Sequence, residues 1–392
     1  MECNFAPLQG VEQQIVTPGY VFEDSALMEK FSQMRKLLPA CNALCFAMKA
    51  NPFLVGLLEE KADRFEVCSP GDYEICHGRG VDPEKIIVSG VNKTRESMER
   101  ILSLSRGKGI FTIESPLHLE ILQELTEETD LQIQVLIRLS SGNQFGVDGE
   151  SFREILKKVL ESRNLTFRGI HFFSGTQKKL KRIQKELAML ETFGRELRQE
   201  FSLSSLELEY GPGLSVAYFE DDKIPGPEEQ LTGLNEALAT LTAFDSIGIE
   251  MGRFMAASCG FFLTKVMDMK TTEGCNYVIL DGGIHQLHYF GQMMGMKLPP
   301  IRQIPQRQRE ETYVLCGSLC SVNDVLVRDV KLQKLEIGDY LLFGCSGAYS
   351  VTEGAALFLS RELPGVYEHT EDGAYRVLRE LTDAYPLNTF KK

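Results

Sequence analysis

The sequence predicts an α/β chain built as a (β/α)₈ TIM barrel with a C-terminal all-β barrel or sandwich domain. Three observations lead there. Eight short apolar, β-branched runs begin near residues 43, 65, 86, 110, 131, 168, 206 and 246, and segments with helical periodicity and charged faces lie between them. Strands alternating with helices imply right-handed crossovers and a parallel sheet, and eight is the number that closes a barrel; an open doubly wound sheet is the runner-up. After about Phe254 the pattern changes to near-continuous strand-like segments.

Taken in order, the apolar stretch 15–22 is suited to join the β domain before the chain enters the barrel. Helical periodicity marks 52–63, 94–106, 116–128, 151–163, 177–199 and 228–241. Beyond the barrel, strands are expected at 260–269, 276–281, 312–316, 325–329 and 339–343, with turns supplied by Thr272-Glu273-Gly274 and by Glu336-Ile337-Gly338-Asp339. The expected division is a barrel over 25–253 and a β domain assembled from 1–24 and 254–392, which 392 residues are enough to fill.

Composition bounds the function. With 42 Lys plus Arg against 55 Asp plus Glu, the net charge of −13 disfavours nucleic-acid binding, since the one modest basic run, Lys178 to Lys185, falls on an expected helix. No apolar run approaches the ~20 residues of a membrane helix, and the N-terminus lacks the charge pattern of a secretory signal, so a cytoplasmic protein is expected. Ten irregularly spaced cysteines read as reduced thiols, and the C-x-x-x-C pairs Cys41 with Cys45 and Cys316 with Cys320 suit metal ligation poorly.

A barrel's active site lies at the C-terminal ends of its strands. The first strand ends at Lys49, a lone amine after an apolar strand, where partial desolvation is expected to lower its pKa and favour the neutral form. Later strands end at Glu66, Glu114 and Arg138. The sixth ends in Phe173-Ser174-Gly175-Thr176, the seventh in Gly211-Pro212-Gly213 and the eighth in Glu250-Met251-Gly252-Arg253. Glycine and small residues ahead of a helix let backbone N–H groups approach a phosphate. An amine, two such loops, a carboxylate and an arginine on one face suit pyridoxal phosphate: the Lys would hold the aldehyde as an imine, the loops and Arg253 the phosphate, and Glu250 the pyridine nitrogen.

On these residues the chain resembles the alanine-racemase-fold group of PLP-dependent decarboxylases, which includes diaminopimelate, ornithine and arginine decarboxylases. Phe46 to Asn51 looks like the cofactor-lysine motif and Phe65 to Ser69 the acid-containing second-strand motif. Gly175, Thr176, Gly211, Gly213, Gly252 and Arg253 match cofactor-binding positions, Gly347-Ala348-Tyr349 resembles the motif whose Tyr contacts the phosphate, and Glu250 matches the pyridine partner. The segment Cys316 to Asp324 resembles the one whose Cys enters the active site from the other subunit. The resemblance thus implies a homodimer with shared sites and Cys320 as proton donor to the α-carbon after CO₂ leaves.

Departures bear on the substrate. Phe173 stands where the family has a stacked His, and His171, two positions earlier, is left to face elsewhere. Ser321 stands where diamine-forming enzymes place an acid, and the segment after Asp281-Gly282-Gly283 lacks the Arg-Pro pair used for a distal carboxylate. Arg138, His285, Ser321 and Asp324 are the candidate substrate contacts, with His288 beside them. The pattern is similar to the subgroup acting on glutamyl groups held by an acyl carrier protein, with a free amino acid as the other substrate class. A racemase of the same fold and an inactive regulatory homologue are the alternatives; racemases place Arg at the pyridine nitrogen, and Glu250 argues against one.

Overall fold

The computed structural model describes residues 3–390. The chain divides into two compact units, one of residues 31–215 and 225–254, the other of 1–30, 216–224 and 255–392. Strand β1 (Gly19–Glu23) belongs to the second unit. The first carries β2 (Ala43–Ala47), β3 (Arg64–Val67), β4 (Ile86–Val88), β5 (Ile110–Ile113), β6 (Ile133–Arg138), β7 (Leu165–Phe173), β8 (Glu207–Gly211) and β9 (Ser246–Met251). These eight are parallel throughout and close into a barrel through the pairing of β9 with β2. The expected barrel is therefore present and the open sheet is not.

The strands are almost wholly buried, as parallel strands covered on both faces must be. Helices Arg95–Ser105, Pro116–Thr129, Gly149–Glu161, Leu180–Phe201 and Pro227–Leu238 follow the periodicity closely. Their starts are chemically marked: Thr94 and Ser97 form a reciprocal capping box, and the Asp148 carboxylate accepts from two backbone N–H groups. The segment after Lys49 is broken where a single helix was expected. Two 3₁₀ turns, Met48–Ala50 and Pro52–Leu54, precede the short helix Val55–Leu58, because Asn51 is extended and its side chain caps the second turn.

In the second unit, β1 pairs antiparallel with β10 (Gly260–Thr272) and parallel with a late strand, so both ends of the chain share one mixed nine-stranded sheet. It continues through β11 (Cys275–Leu280), β12 (Ile301–Ile304), β13 (Glu310–Cys316), β14 (Val325–Gln333), β15 (Tyr340–Phe343), β16 (Gly365–His369) and β17 (Tyr375–Arg379). Leu8, Val11, Ile15, Val21, Phe261, Leu263, Leu342 and Tyr367 pack its core.

Cys3 and Cys345 are disulfide-bonded, with Cα atoms 6.2 Å apart, which corrects the reading of all ten cysteines as free thiols. The two are 342 residues apart and meet because the N-terminal segment lies beside Gly344, a proximity no spacing rule encodes. No described helix is long and apolar enough to cross a membrane.

Candidate active site

At the C-terminal rim of the barrel, Lys49 occupies the 3₁₀ turn that follows β2. Its Nζ lies 3.0 and 2.8 Å from the two oxygens of Glu66 on β3, 3.9 Å from Oε1 of Glu250 on β9 and 3.5 Å from Cys68 Sγ. Both carboxylates are buried, whereas the lysine side chain remains 36% exposed. Burial alone would lower the amine's pKa, but Glu66, Cys68 and Glu250 together outweigh it and hold Lys49 well above the ordinary lysine value. The expectation of a lowered pKa is thereby overturned: the sequence showed the apolar strand before Lys49 and not the two carboxylates that the barrel brings to it.

Glu250 is not paired to the amine alone. His171 on β7, itself buried, places Nε2 3.0 Å from Glu250 Oε2. Burial pushes the Glu250 carboxyl up, yet the His171 hydrogen bond and the charges of Lys49 and Arg138 pull it down to about 2. His171 therefore does not face elsewhere. Residues two apart on a strand point to the same side, so His171 shares the face of Phe173, and the strand period was the signal that could have found it.

Further polar groups line the same rim. Glu66 also accepts from Cys68 Sγ at 2.8 Å and from Ser89. Arg138 is buried and donates to Glu114 at 2.9 Å, while buried Lys93 lies 3.6 Å from the same carboxylate and donates to Thr112 at 3.1 Å. Lys178, the first residue of the basic run, is also buried; its Nζ donates to Glu186 at 2.7 Å, Ser174 at 3.1 Å and the Gly211 carbonyl at 3.1 Å. Sequence reading assigned no role to His171, Ser89, Lys93, Lys178 or Glu186.

The two glycine loops approach each other closely. Gly213 has φ +58° and Gly175 φ +131°, and a Cβ on Gly213 would lie 2.0 Å from the Gly175 carbonyl oxygen. Gly211 abuts Phe173 so tightly that a Cβ there would sit 2.5 Å from the ring. Gly252 likewise packs on the end of β2, where a Cβ would meet Ala50 at 2.8 Å, and Arg253 opens the helical turn Arg253–Ala256. An amine between two buried carboxylates, one held ionised, with an aromatic ring and a side-chain-free cradle nearby, is a donor set that fits pyridoxal phosphate.

The remaining candidates belong to the other unit. Exposed Cys320 lines a cavity of about 600 Å³ with Ser318, Asp281, Gln286 and Arg361, and Arg361 donates to the Ser318 carbonyl at 2.7 Å. Asp324 is buried; its carboxylate accepts from the backbone N–H groups of Ile284 and Leu319 at 2.9 and 2.7 Å, so it braces the Cys320 loop. Ser321 accepts from Asn323 N at 3.4 Å. His285 is buried, with its pKa lowered to about 4 by burial and by Arg361, whereas His288 is half exposed and lies 3.4 Å from Glu353. Tyr349 sits at φ +70° just ahead of the turn Ser350–Glu353.

Residues 24–257 match the family described as "Pyridoxal-dependent decarboxylase, pyridoxal binding domain". The chain is 26% identical to diaminopimelate decarboxylase of Aquifex aeolicus over 87% of this chain and 84% of that one. It is 25% identical to L-glutamyl-[BtrI acyl-carrier protein] decarboxylase of Niallia circulans over 97% and 94%. Among solved structures, diaminopimelate decarboxylase of M. jannaschii in complex with L-lysine shares the fold with a TM-score of 0.85 at 22% identity, covering 96% of this chain and 92% of that one. The named relatives are decarboxylases, which leaves the racemase alternative unsupported. A match across 234 of the 392 residues, over the same barrel that gathers Lys49, Glu66 and Glu250, shows that the chain belongs to the pyridoxal-dependent decarboxylases, carboxy-lyases that act on amino acids with pyridoxal phosphate as cofactor.

Proposed function

We propose that Lys49 holds the cofactor's aldehyde, Glu250 its pyridine nitrogen and Phe173 one face of its ring. Gly175, Thr176, Gly211, Gly213, Gly252, Arg253 and Tyr349 bind the phosphate. The observation that carries this reading is the Lys49 amine held 2.8 Å from Glu66 and 3.9 Å from Glu250 at the mouth of a closed barrel. When bound, pyridoxal phosphate supplies an electron sink for the charge left at the α-carbon as CO₂ departs. Glu66 orients the amine and keeps it charged until it is engaged. Glu250 stays anionic at neutral pH, so it can hold a proton on the pyridine nitrogen facing it.

Cys320 is the proton donor to the α-carbon, contributed by the second subunit of a homodimer; its exposed thiol on a braced loop supports that role. Functionally, residues 25–253 carry the cofactor, and 1–24 with 254–392 complete the dimeric site. The substrate is an aminoacyl group borne on a carrier protein, a reading supported by Ser321 in place of an acid and by the glutamyl-carrier relative that spans nearly the whole chain. Arg138, His285, Ser321 and Asp324 are the residues assigned near it.

Reconstituted protein should show a visible absorbance band that Lys49→Ala abolishes; a colourless wild type would overturn the cofactor assignment. CO₂ release should then be strongest from a glutamyl thioester of a carrier protein. Release confined to free diaminopimelate, ornithine or lysine would overturn the carrier-bound reading and leave the decarboxylase in place.

A further inference from the structure

The reach of His171 to Glu250 sets it apart from the other polar groups at the rim. The histidine is 1% exposed, its Nε2 is 3.0 Å from Glu250 Oε2, and its Nδ1 is buried without a hydrogen-bond partner. Glu250 is thus the imidazole's sole hydrogen-bond partner among the described residues. Facing an ionised carboxylate, Nε2 must carry the ring proton that makes the bond. The two oxygens of Glu250 then divide their tasks: Oε2 is tied to His171, while Oε1 lies 3.9 Å from the Lys49 amine. Without the imidazole, nothing in this geometry stops the carboxylate from swinging fully onto Lys49, whose amine already pairs with Glu66.

We propose that His171 is a positioning residue for the cofactor: its Nε2–H pins Glu250 so that one carboxylate oxygen is presented to the pyridine nitrogen and withheld from Lys49. This deepens the assignment of Glu250 and rests on it. The charged and titratable groups facing the pair are Lys49, Arg138, Glu114, Glu209 and Cys45, so the bond operates within a set that is balanced rather than isolated. The same side of β7 carries Phe173, so one strand supplies both the ring-facing aromatic and the group that aims the carboxylate.

The test compares His171→Leu with His171→Gln, whose amide can still donate to Glu250, and with Glu250→Ala. Each is reconstituted with pyridoxal phosphate, and affinity, thermal melting without cofactor and the pH dependence of the visible band are measured. A hydrogen bond to a charged group is worth ~1.5–3 kcal/mol, so His171→Leu should weaken pyridoxal phosphate binding roughly tenfold or more and move the pH midpoint of the band, while His171→Gln restores most of both. Wild-type affinity and band in His171→Leu, with Glu250→Ala impaired, would overturn the positioning role alone. Equal losses in the Leu and Gln variants, whether or not their melting falls, would also overturn it. An unchanged Glu250→Ala would instead overturn the assignment of Glu250 on which the role rests.

Discussion

Two buried glutamates on adjacent strands of one barrel are driven in opposite directions. Glu250, toward the C-terminal rim, is held down to about 2, whereas Glu209, one layer toward the N-terminal end on β8, is pushed up to about 8. Burial penalises both charges, so partners make the difference. Glu250 has His171, Lys49 and Arg138 around it. Glu209 shares the single guanidinium of Arg64 with Glu207, which takes a second ion pair from Arg168. One end of the barrel keeps a carboxylate ionised near a partly exposed amine. The other uses its carboxylates to fill and tie the interior, which is the division of labour that barrel enzymes show between their two faces.

The contrast predicts where substitutions strike. Glu250→Gln should lower kcat/KM by roughly 10²–10³-fold, the scale of losing one aligned electrostatic group. Glu209→Gln should leave kcat/KM within a few-fold; a comparable loss there would erase the distinction between the two ends. Arg64→Leu should destabilise the fold by about 3–5 kcal/mol, because it strands buried Glu209 and leaves Glu207 with Arg168 alone. Denaturant unfolding measures that loss, and the surviving folded fraction should still turn over.

Acidity sharpens the comparison further. The folded value of Glu209 lies above its ordinary 4.5, so its contribution is intact below about pH 4.5 and is lost as pH rises toward 8. Glu250 behaves oppositely: its contribution is full above about pH 4.5 and is lost as pH falls toward 2. The unfolding free energy of Glu209→Gln should therefore decline less than that of wild type between pH 5 and 8, a difference on the order of a few kcal/mol. Parallel curves would show that Glu209 is ionised in the folded state. The smallest effect is expected at Gly248, opposite Glu209, where a Cβ would lie 2.1 Å from the carboxylate. Gly248→Ala should cost about 1–3 kcal/mol in unfolding free energy, and less in the Glu209→Ala background.

Much of this was legible in the sequence. Parallel strands buried on both faces are short apolar runs, and all eight stand out; so do the strand-end lysine, carboxylates and glycine loops. Helices Asp24–Leu37 and Pro70–Gly78 lie outside the segments that periodicity singled out, as does buried β16, and β12 and β17 went unread because half-buried strands alternate weakly. Facts that depend on pairing across the fold stayed hidden. The sign of the Lys49 shift depends on Glu66 and Glu250 arriving from other strands, and the burial of Asp324 depends on Ile284 and Leu319 spending its oxygens. His171 was hidden only by a misjudged period.

The order of synthesis gives β1 a particular problem. Its register partners, Leu263 on β10 and Gly365 on β16, follow it by more than 240 residues. At ~5–20 residues per second, this apolar strand leaves the ribosome roughly 10–50 seconds before either neighbour exists. Its backbone donors and acceptors have only water for partners while the whole barrel is made, so the newborn chain passes through a stage in which its earliest strand is open to any other strand it meets.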